Sequence, residues 1–176
     1  MQWQTNLPLI AILRGITPDD ALAHVGAVVD AGFDAIEIPL NSPQWEKSIS
    51  SVVKAYGGRA LIGAGTVLKP EQVDQLAGMG CKTEAFSALD AGAQALKIFP
   101  SSAFGPGYIS ALKAVLPPDV PLFAVGGVTP ENLAQWIKAG CVGAGLGSDL
   151  YRAGQSVERT AQQAAAFVNA YREAVK

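Results

Sequence analysis

One histidine and two widely separated cysteines, Cys81 and Cys141, stand in this chain of 176 residues, and no CxxC pair occurs. So small a supply of soft ligands proposes neither a zinc site nor a disulfide framework, and both thiols read as reduced packing residues. Charge is scarce as well: Asp, Glu, Lys and Arg make up 16% of the residues, with a net charge of -2. Without a basic surplus, nothing draws in a nucleic-acid backbone or an anionic membrane, so the expected partner is a small molecule. No apolar run approaches the roughly 20 residues that span a bilayer. The start, MQWQTNLPLI, lacks the basic residues and long apolar stretch of a signal peptide, so the expected location is cytoplasmic.

What the chain does have is a large apolar fraction, 49%, punctuated by 19 glycines and 11 prolines. That composition fills a substantial core, and one domain over residues 1–176 is expected. Short apolar runs recur at 8–13 (PLIAIL), 35–40 (AIEIPL), 60–64 (ALIGA), 95–99 (ALKIF), 121–125 (PLFAV) and 142–146 (VGAGL). They lack a polar residue at every second position, which suits parallel strands buried on both faces. Parallel strands need helical crossovers, and Thr17-Pro18-Asp19-Asp20, Lys69-Pro70-Glu71 and Thr129-Pro130-Glu131-Asn132 read as helix starts, each with proline in the first turn.

AGFDAIEI (31–38), AGAQALKI (91–98) and AGCVGAGL (139–146) repeat an Ala-Gly helix exit that leads into a strand. Glu37 and Lys97 fall at the same position of this repeat and should face a common interior. The pattern predicts an α/β fold, a (β/α)8 TIM barrel, but with six strand-helix units instead of eight. After the helix exit Met79-Gly80-Cys81-Lys82, the residues TEAFSALDAG already read as another helix. About one strand-helix-strand unit, roughly 30 residues, is therefore absent between Lys82 and Thr83. An omitted segment and an internal deletion both explain the direct join. The unpaired edges that a deletion would expose favour omission.

Lys97, in ALKIFP, is out of place in an apolar strand, because lysine is almost never buried without a partner. A strand-end lysine snorkelling to solvent is the ordinary alternative, which the three apolar residues after it weaken. Burial favours a lysine's neutral amine, the form that attacks a ketone to make a Schiff base. Glu37, in AIEIPL, repeats the anomaly with opposite charge. It reads either as a structural counter-ion to Lys97 or as the acid/base that Schiff-base chemistry needs. Arg14, in ILRGI, sits where a guanidinium can clamp a substrate carboxylate, although it also fits a solvated loop. Thr66, in GAGTVL, offers a hydroxyl to orient Glu37 or a substrate group. The loops Val125-Gly126-Gly127-Val128-Thr129 and Gly145-Leu146-Gly147-Ser148-Asp149 come last in the chain, where such barrels often bind phosphate on backbone N–H groups; plain tight turns are the alternative. His24 reads as a surface residue of an amphipathic helix, and Trp3, Trp45 and Trp136 as packing or interface residues. No cluster proposes a metal.

Taken together, PLIAILRGI, AIEIPLNSP, LIGAGTVL, ALKIFPSSAFGP, FAVGGVTPENL and GAGLGSDLY resemble the 2-dehydro-3-deoxy-phosphogluconate/phosphogalactonate aldolases, on the galactonate side, across essentially the whole chain. The resemblance implies a class I aldolase that cleaves 2-dehydro-3-deoxy-6-phosphogalactonate to pyruvate and glyceraldehyde 3-phosphate. It also implies a homotrimer that needs no cofactor or metal. By this likeness Lys97 forms the Schiff base, Glu37 is the general acid/base, Arg14 holds the carboxylate and Thr66 helps orient the site. Gly126, Gly127, Val128, Gly147 and Ser148 hold the phosphate. Relatives of the gluconate type are expected to carry threonine where Val125 stands, so valine points to the galactonate epimer. A gluconate-type aldolase and a non-catalytic phosphate-binding barrel are the competing readings.

Overall fold

The computed structural model describes residues 5–66, 72, 75, 76, 79 and 95–176. The six apolar runs form six strands: β1 (Leu9–Ile12), β2 (Ala35–Pro39), β3 (Leu61–Gly65), β4 (Leu96–Ile98), β5 (Leu122–Val125) and β6 (Gly143–Leu146). They make one sheet in the order β3-β2-β1-β6-β5-β4, with every neighbouring pair parallel. The last strand thus lies beside the first, as in a wound barrel, and among the described residues β3 and β4 end the sheet. The expected helix start at Lys69-Pro70-Glu71, Cys81 and the junction between Lys82 and Thr83 lie outside the described residues.

Alternation along each strand divides the core in two. Leu9, Ala11, Ile36, Ile38, Leu122, Ala124, Ala144 and Leu146 join the larger cluster that the helices cover. Ile10, Ile12, Ala35, Ala95, Phe123 and Val125 form a separate cluster on the opposite face. Both faces of β1, β2, β5 and β6 are therefore buried, which is why these strands show no polar alternation, whereas β3 and β4 are only partly covered. The sheet is also curled. Lys97 of β4 and Glu37 of β2 lie four strand spacings apart in the sheet order, roughly 19 Å if the sheet were flat, yet their side chains meet at 3.4 Å. The architecture is a TIM-barrel-like wall of six parallel strands with its smaller apolar cluster inside.

The outer layer follows from local signals. Helix α1 (Pro18–Asp30) begins at Thr17, whose hydroxyl accepts the Asp20 N–H, and buries Ala21, His24, Val25, Val28 and Val29 along one stripe. Helix α2 (Trp45–Tyr56) follows β2, and the short α3 (Ser101–Phe104) and longer α4 (Pro106–Val115) follow β4. Helices α5 (Leu133–Lys138) and α6 (Val157–Ala174) complete the described set. The repeated helix exits have matching geometry: Gly32 and Gly140 both take φ of 112°, which a side chain rarely adopts. No helix among the described residues is long and apolar enough to cross a membrane.

Helix α5 runs over Leu133–Lys138, and the turn that leads into it begins at Thr129 as expected, since the Thr129 carbonyl accepts the Asn132 N–H (3.2 Å) and the Leu133 N–H (3.0 Å). Asn132 braces that turn: its side-chain oxygen accepts the Thr129 N–H (2.9 Å) and its amide donates to the Gly127 carbonyl (2.8 Å). One expectation is corrected. His24 is no surface residue: it is 3% exposed, between α1 and α6, with Nδ1 2.8 Å from Thr160 Oγ1 and its ring edge-on to Tyr151. The hydroxyl supplies the polar partner that makes this burial tolerable. The tryptophans agree with a packing role where they are described. Trp136 is buried, with Nε1 donating to Asn132 Oδ1, and Trp45 packs on the larger core, whereas Trp3 lies outside the described residues.

Candidate active site

Glu37 points inward because its neighbours Ile36 and Ile38 point outward into the helix layer. Its residue exposure is 6%, and its Oε2 accepts a hydrogen bond from Lys97 Nζ at 3.4 Å. Lys97 keeps a quarter of its side chain exposed. The pair is thus asymmetric: the carboxylate is enclosed and the amine opens toward a cleft of about 550 Å³. Gly65 makes the enclosure possible. A Cβ on Gly65 would lie 2.0 Å from Glu37 Oε1, so the space of the missing side chain is the space the carboxylate occupies.

Arg14 gathers the loops after β1, β2 and β3. The Leu13 N–H extends the ladder to the Glu37 carbonyl (2.9 Å), which sets the next residue at the rim. There Arg14 Nη1 donates to Asn41 Oδ1 at 2.8 Å and reaches Thr66 Oγ1 at 3.5 Å. The Thr66 hydroxyl thus accepts from Arg14. Thr66 has φ of +57°, a left-handed conformation unfavourable for a β-branched residue, and such strain tends to collect at functional sites.

The glycine loops form the other end of the cleft. Buried Ser101 joins them to β4, since its hydroxyl donates to the Ile98 carbonyl (2.7 Å) and accepts the Val125 N–H (3.0 Å). Gly126 and Gly127 follow with φ of 91° and 74°. After β6, the Leu150 and Tyr151 N–H groups both donate to the Gly147 carbonyl at 2.9 Å. Among the described residues, the N–H groups of Gly127, Val128, Gly147 and Ser148 donate to no protein acceptor. Unpaired backbone donors gathered at one end of a cleft suit an anion.

All the expected site residues other than Glu37 line this cleft, and Glu37 is reached through Lys97. Ile12, Phe99, Tyr151 and Arg152, which also line it, were not foreseen from the sequence, nor were Asn41 and Gly65. Gly145 and Asp149, the two ends of the glycine loop already read as a phosphate site, line it as well. Gly145 occupies the same repeat position as Glu37 and Lys97, and a Cβ there would come within 2.9 Å of Val125. Burial raises the Tyr151 phenol above its ordinary range, with Asp20 adding to the effect, so this wall of the cleft stays neutral. Among the described residues, no three His, Cys, Asp or Glu side chains are grouped to hold a metal.

A sequence model described as aldolase, KDPG and KHG aldolase, matches residues 2–86 and 76–165. The chain belongs to the KDPG and KHG aldolase family. It is 73% identical to the 2-dehydro-3-deoxy-6-phosphogalactonate aldolase of Escherichia coli (strain K12), with 100% of both chains covered. That alignment runs over 205 positions against a chain of 176 residues, so at least 29 positions have no counterpart here. A solved structure described as native KDPGal superposes with a TM-score of 0.96 at 72% identity, covering 99% of each chain. A designed cube-shaped porous cage, made by fusing symmetric oligomeric domains, contains a chain 71% identical to this one. It covers 97% of this chain and 74% of the cage chain, with a TM-score of 0.94. As a member of this aldolase family the chain is a carbon–carbon lyase of class I, the class that bonds its ketone substrate to a lysine.

Proposed function

We propose that this aldolase cleaves 2-dehydro-3-deoxy-6-phosphogalactonate reversibly to pyruvate and glyceraldehyde 3-phosphate, with Lys97 as nucleophile and Glu37 as acid and base. The observation that carries the reading is the 3.4 Å contact between the Lys97 amine and the enclosed Glu37 carboxylate at the wall of the cleft. The amine adds to the C2 ketone, and Glu37 supplies the proton with which the carbinolamine oxygen leaves as water. As the C4 hydroxyl loses its proton, the C3–C4 bond breaks and its electron pair passes into the iminium to give an enamine. Glyceraldehyde 3-phosphate departs. Protonation of the enamine at C3 and hydrolysis then release pyruvate and restore Lys97. The iminium is the electron sink, so the chemistry requires neither metal nor cofactor.

Arg14, steadied by Asn41 and Thr66, is assigned to the substrate carboxylate, and the N–H groups of Gly127, Val128, Gly147 and Ser148 to the phosphate. Gly126 shapes that turn. The Escherichia coli relative is named for the galactonate-configured substrate, and its identity supports the same choice here. So does Val125, which lines the cleft without a hydroxyl to bond the C4 hydroxyl of the gluconate epimer. We read residues 1–176 as a single barrel-type domain in the cytoplasm. A homotrimer is supported by the symmetric oligomeric domains of the cage, whose chain is 71% identical to this one.

Pyruvate release from both epimers, by the wild type and Val125→Thr, tests the substrate. The wild type should prefer the galactonate form, and the added hydroxyl should move the ratio of kcat/KM values toward gluconate by roughly 5-fold, as one hydrogen bond allows. A wild-type preference for gluconate would overturn the assignment.

A further inference from the structure

Arg152 lies beyond the glycine loop after β6 and borders both the main cleft and a smaller one of about 260 Å³. Its attachment is unlike that of a solvated loop residue. The Arg152 Nε donates to the Ser148 carbonyl at 2.8 Å, and its backbone N–H donates to Gln155 Oε1 at 3.1 Å. Gln155 in turn donates through Nε2 to the Leu150 carbonyl (2.9 Å) and to Thr160 Oγ1 (2.7 Å). Thr160 is fully buried beside His24. The arginine is therefore fixed at its main chain and at Nε, on a polar chain rooted in the core. Its two terminal nitrogens make no recorded contact among the described residues.

The charges lining the cleft are distributed unevenly. Lys97 is engaged with Glu37, and Arg14 is tied to the loops after β2 and β3. At the glycine-loop end the backbone N–H groups carry only partial charges, and Asp149 adds a negative one. A phosphate dianion there requires a full cation, and Arg152 is the one the described lining residues provide at that end. Holding Nε on Ser148 leaves the two terminal nitrogens as a fork that can grip two phosphate oxygens. We propose that Arg152 is a specificity-determining residue that binds the substrate's phosphate directly and makes the enzyme discriminate phosphorylated from unphosphorylated sugar acids. The inference rests on placing the phosphate at the glycine loops.

The test measures kcat and KM of the wild type, Arg152→Lys and Arg152→Gln on the 6-phosphorylated substrate and its unphosphorylated counterpart. Circular dichroism establishes that each variant is folded. Arg152→Gln should raise KM for the phosphorylated substrate about 10-fold or more, while kcat/KM for the unphosphorylated one stays within about 2-fold. Arg152→Lys, which keeps charge but loses the fork, should fall between wild type and Gln. A Gln variant better than Lys would mean that the contact to Ser148 matters and the charge does not, which overturns the proposal. So would an unchanged KM, or equal losses on both substrates. The underlying phosphate placement fails separately, if the wild type itself shows no preference for the phosphorylated substrate and no competitive inhibition by inorganic phosphate.

Discussion

A single hydrogen atom in place of a side chain determines where the proton-transfer group stands. Gly65 leaves open the volume filled by the Glu37 carboxylate, and alanine there would force Oε1 away from a point 2.0 Å distant. The obstructed atom is the end of a flexible side chain, so the fold can yield by swinging the carboxylate aside. Gly65→Ala should therefore melt within a few degrees of wild type while losing about 10-fold or more in turnover. Glu37→Gln, which keeps the shape but removes the proton acceptor, should lose about 100-fold. Thermal melts and single-turnover rates of both variants check this, and a normal rate in folded Gly65→Ala would show that the carboxylate's position is immaterial. Lys97 and Glu37 were legible in the sequence because a charge inside an apolar strand is conspicuous. Gly65 was not, since its role depends on the neighbouring strand, and neither was Arg152, whose loop position gives a charge no visible purpose.

At the scale of elements, the contact between α1 and α6 is organised around a buried imidazole. Burial lowers the His24 pKa from its ordinary value of 6.5, opposed by the carboxylates of Asp20 on its own helix and Glu158 on α6, with the Tyr151 phenol neutral alongside. A depressed pKa means that the unfolded chain takes up the proton first as pH falls. The stabilisation is thus present in full above pH 6.5 and is lost as pH drops from there through the lower folded value. The melting temperature should decline between pH 7 and pH 5, and His24→Gln should flatten that decline. A slope unchanged in the variant would place the acid sensitivity elsewhere. Local signals had identified α1, whose Thr17-Pro18 start stands in the structure as read. They likewise located the turn that leads into α5, where the Thr129 carbonyl accepts the Leu133 N–H. They misjudged His24, whose partner Thr160 is 136 residues away.

The whole molecule unites groups that no local pattern could bring within reach. Six strands wound in the order β3-β2-β1-β6-β5-β4 carry Lys97 round to Glu37, place Arg14 with Asn41 and Thr66 at one end of the cleft, and gather the glycine loops at the other. The repeated helix exits made this winding legible, because a shared position in a shared unit implies a shared face. The strands that end the sheet among the described residues, β3 and β4, flank the stretch where the sequence leads one to expect a missing unit. The shortfall of at least 29 positions against the Escherichia coli relative matches that unit in size. Every step proposed for the reaction begins with a covalent bond between the Lys97 amine and a ketone, so the direct test is to trap that bond. Incubation of the protein with pyruvate and borohydride, followed by mass mapping of its peptides, should place a reduced pyruvate adduct on Lys97 and abolish activity in proportion to labelling. A folded protein that acquires no adduct, or carries it on another lysine, would contradict the account.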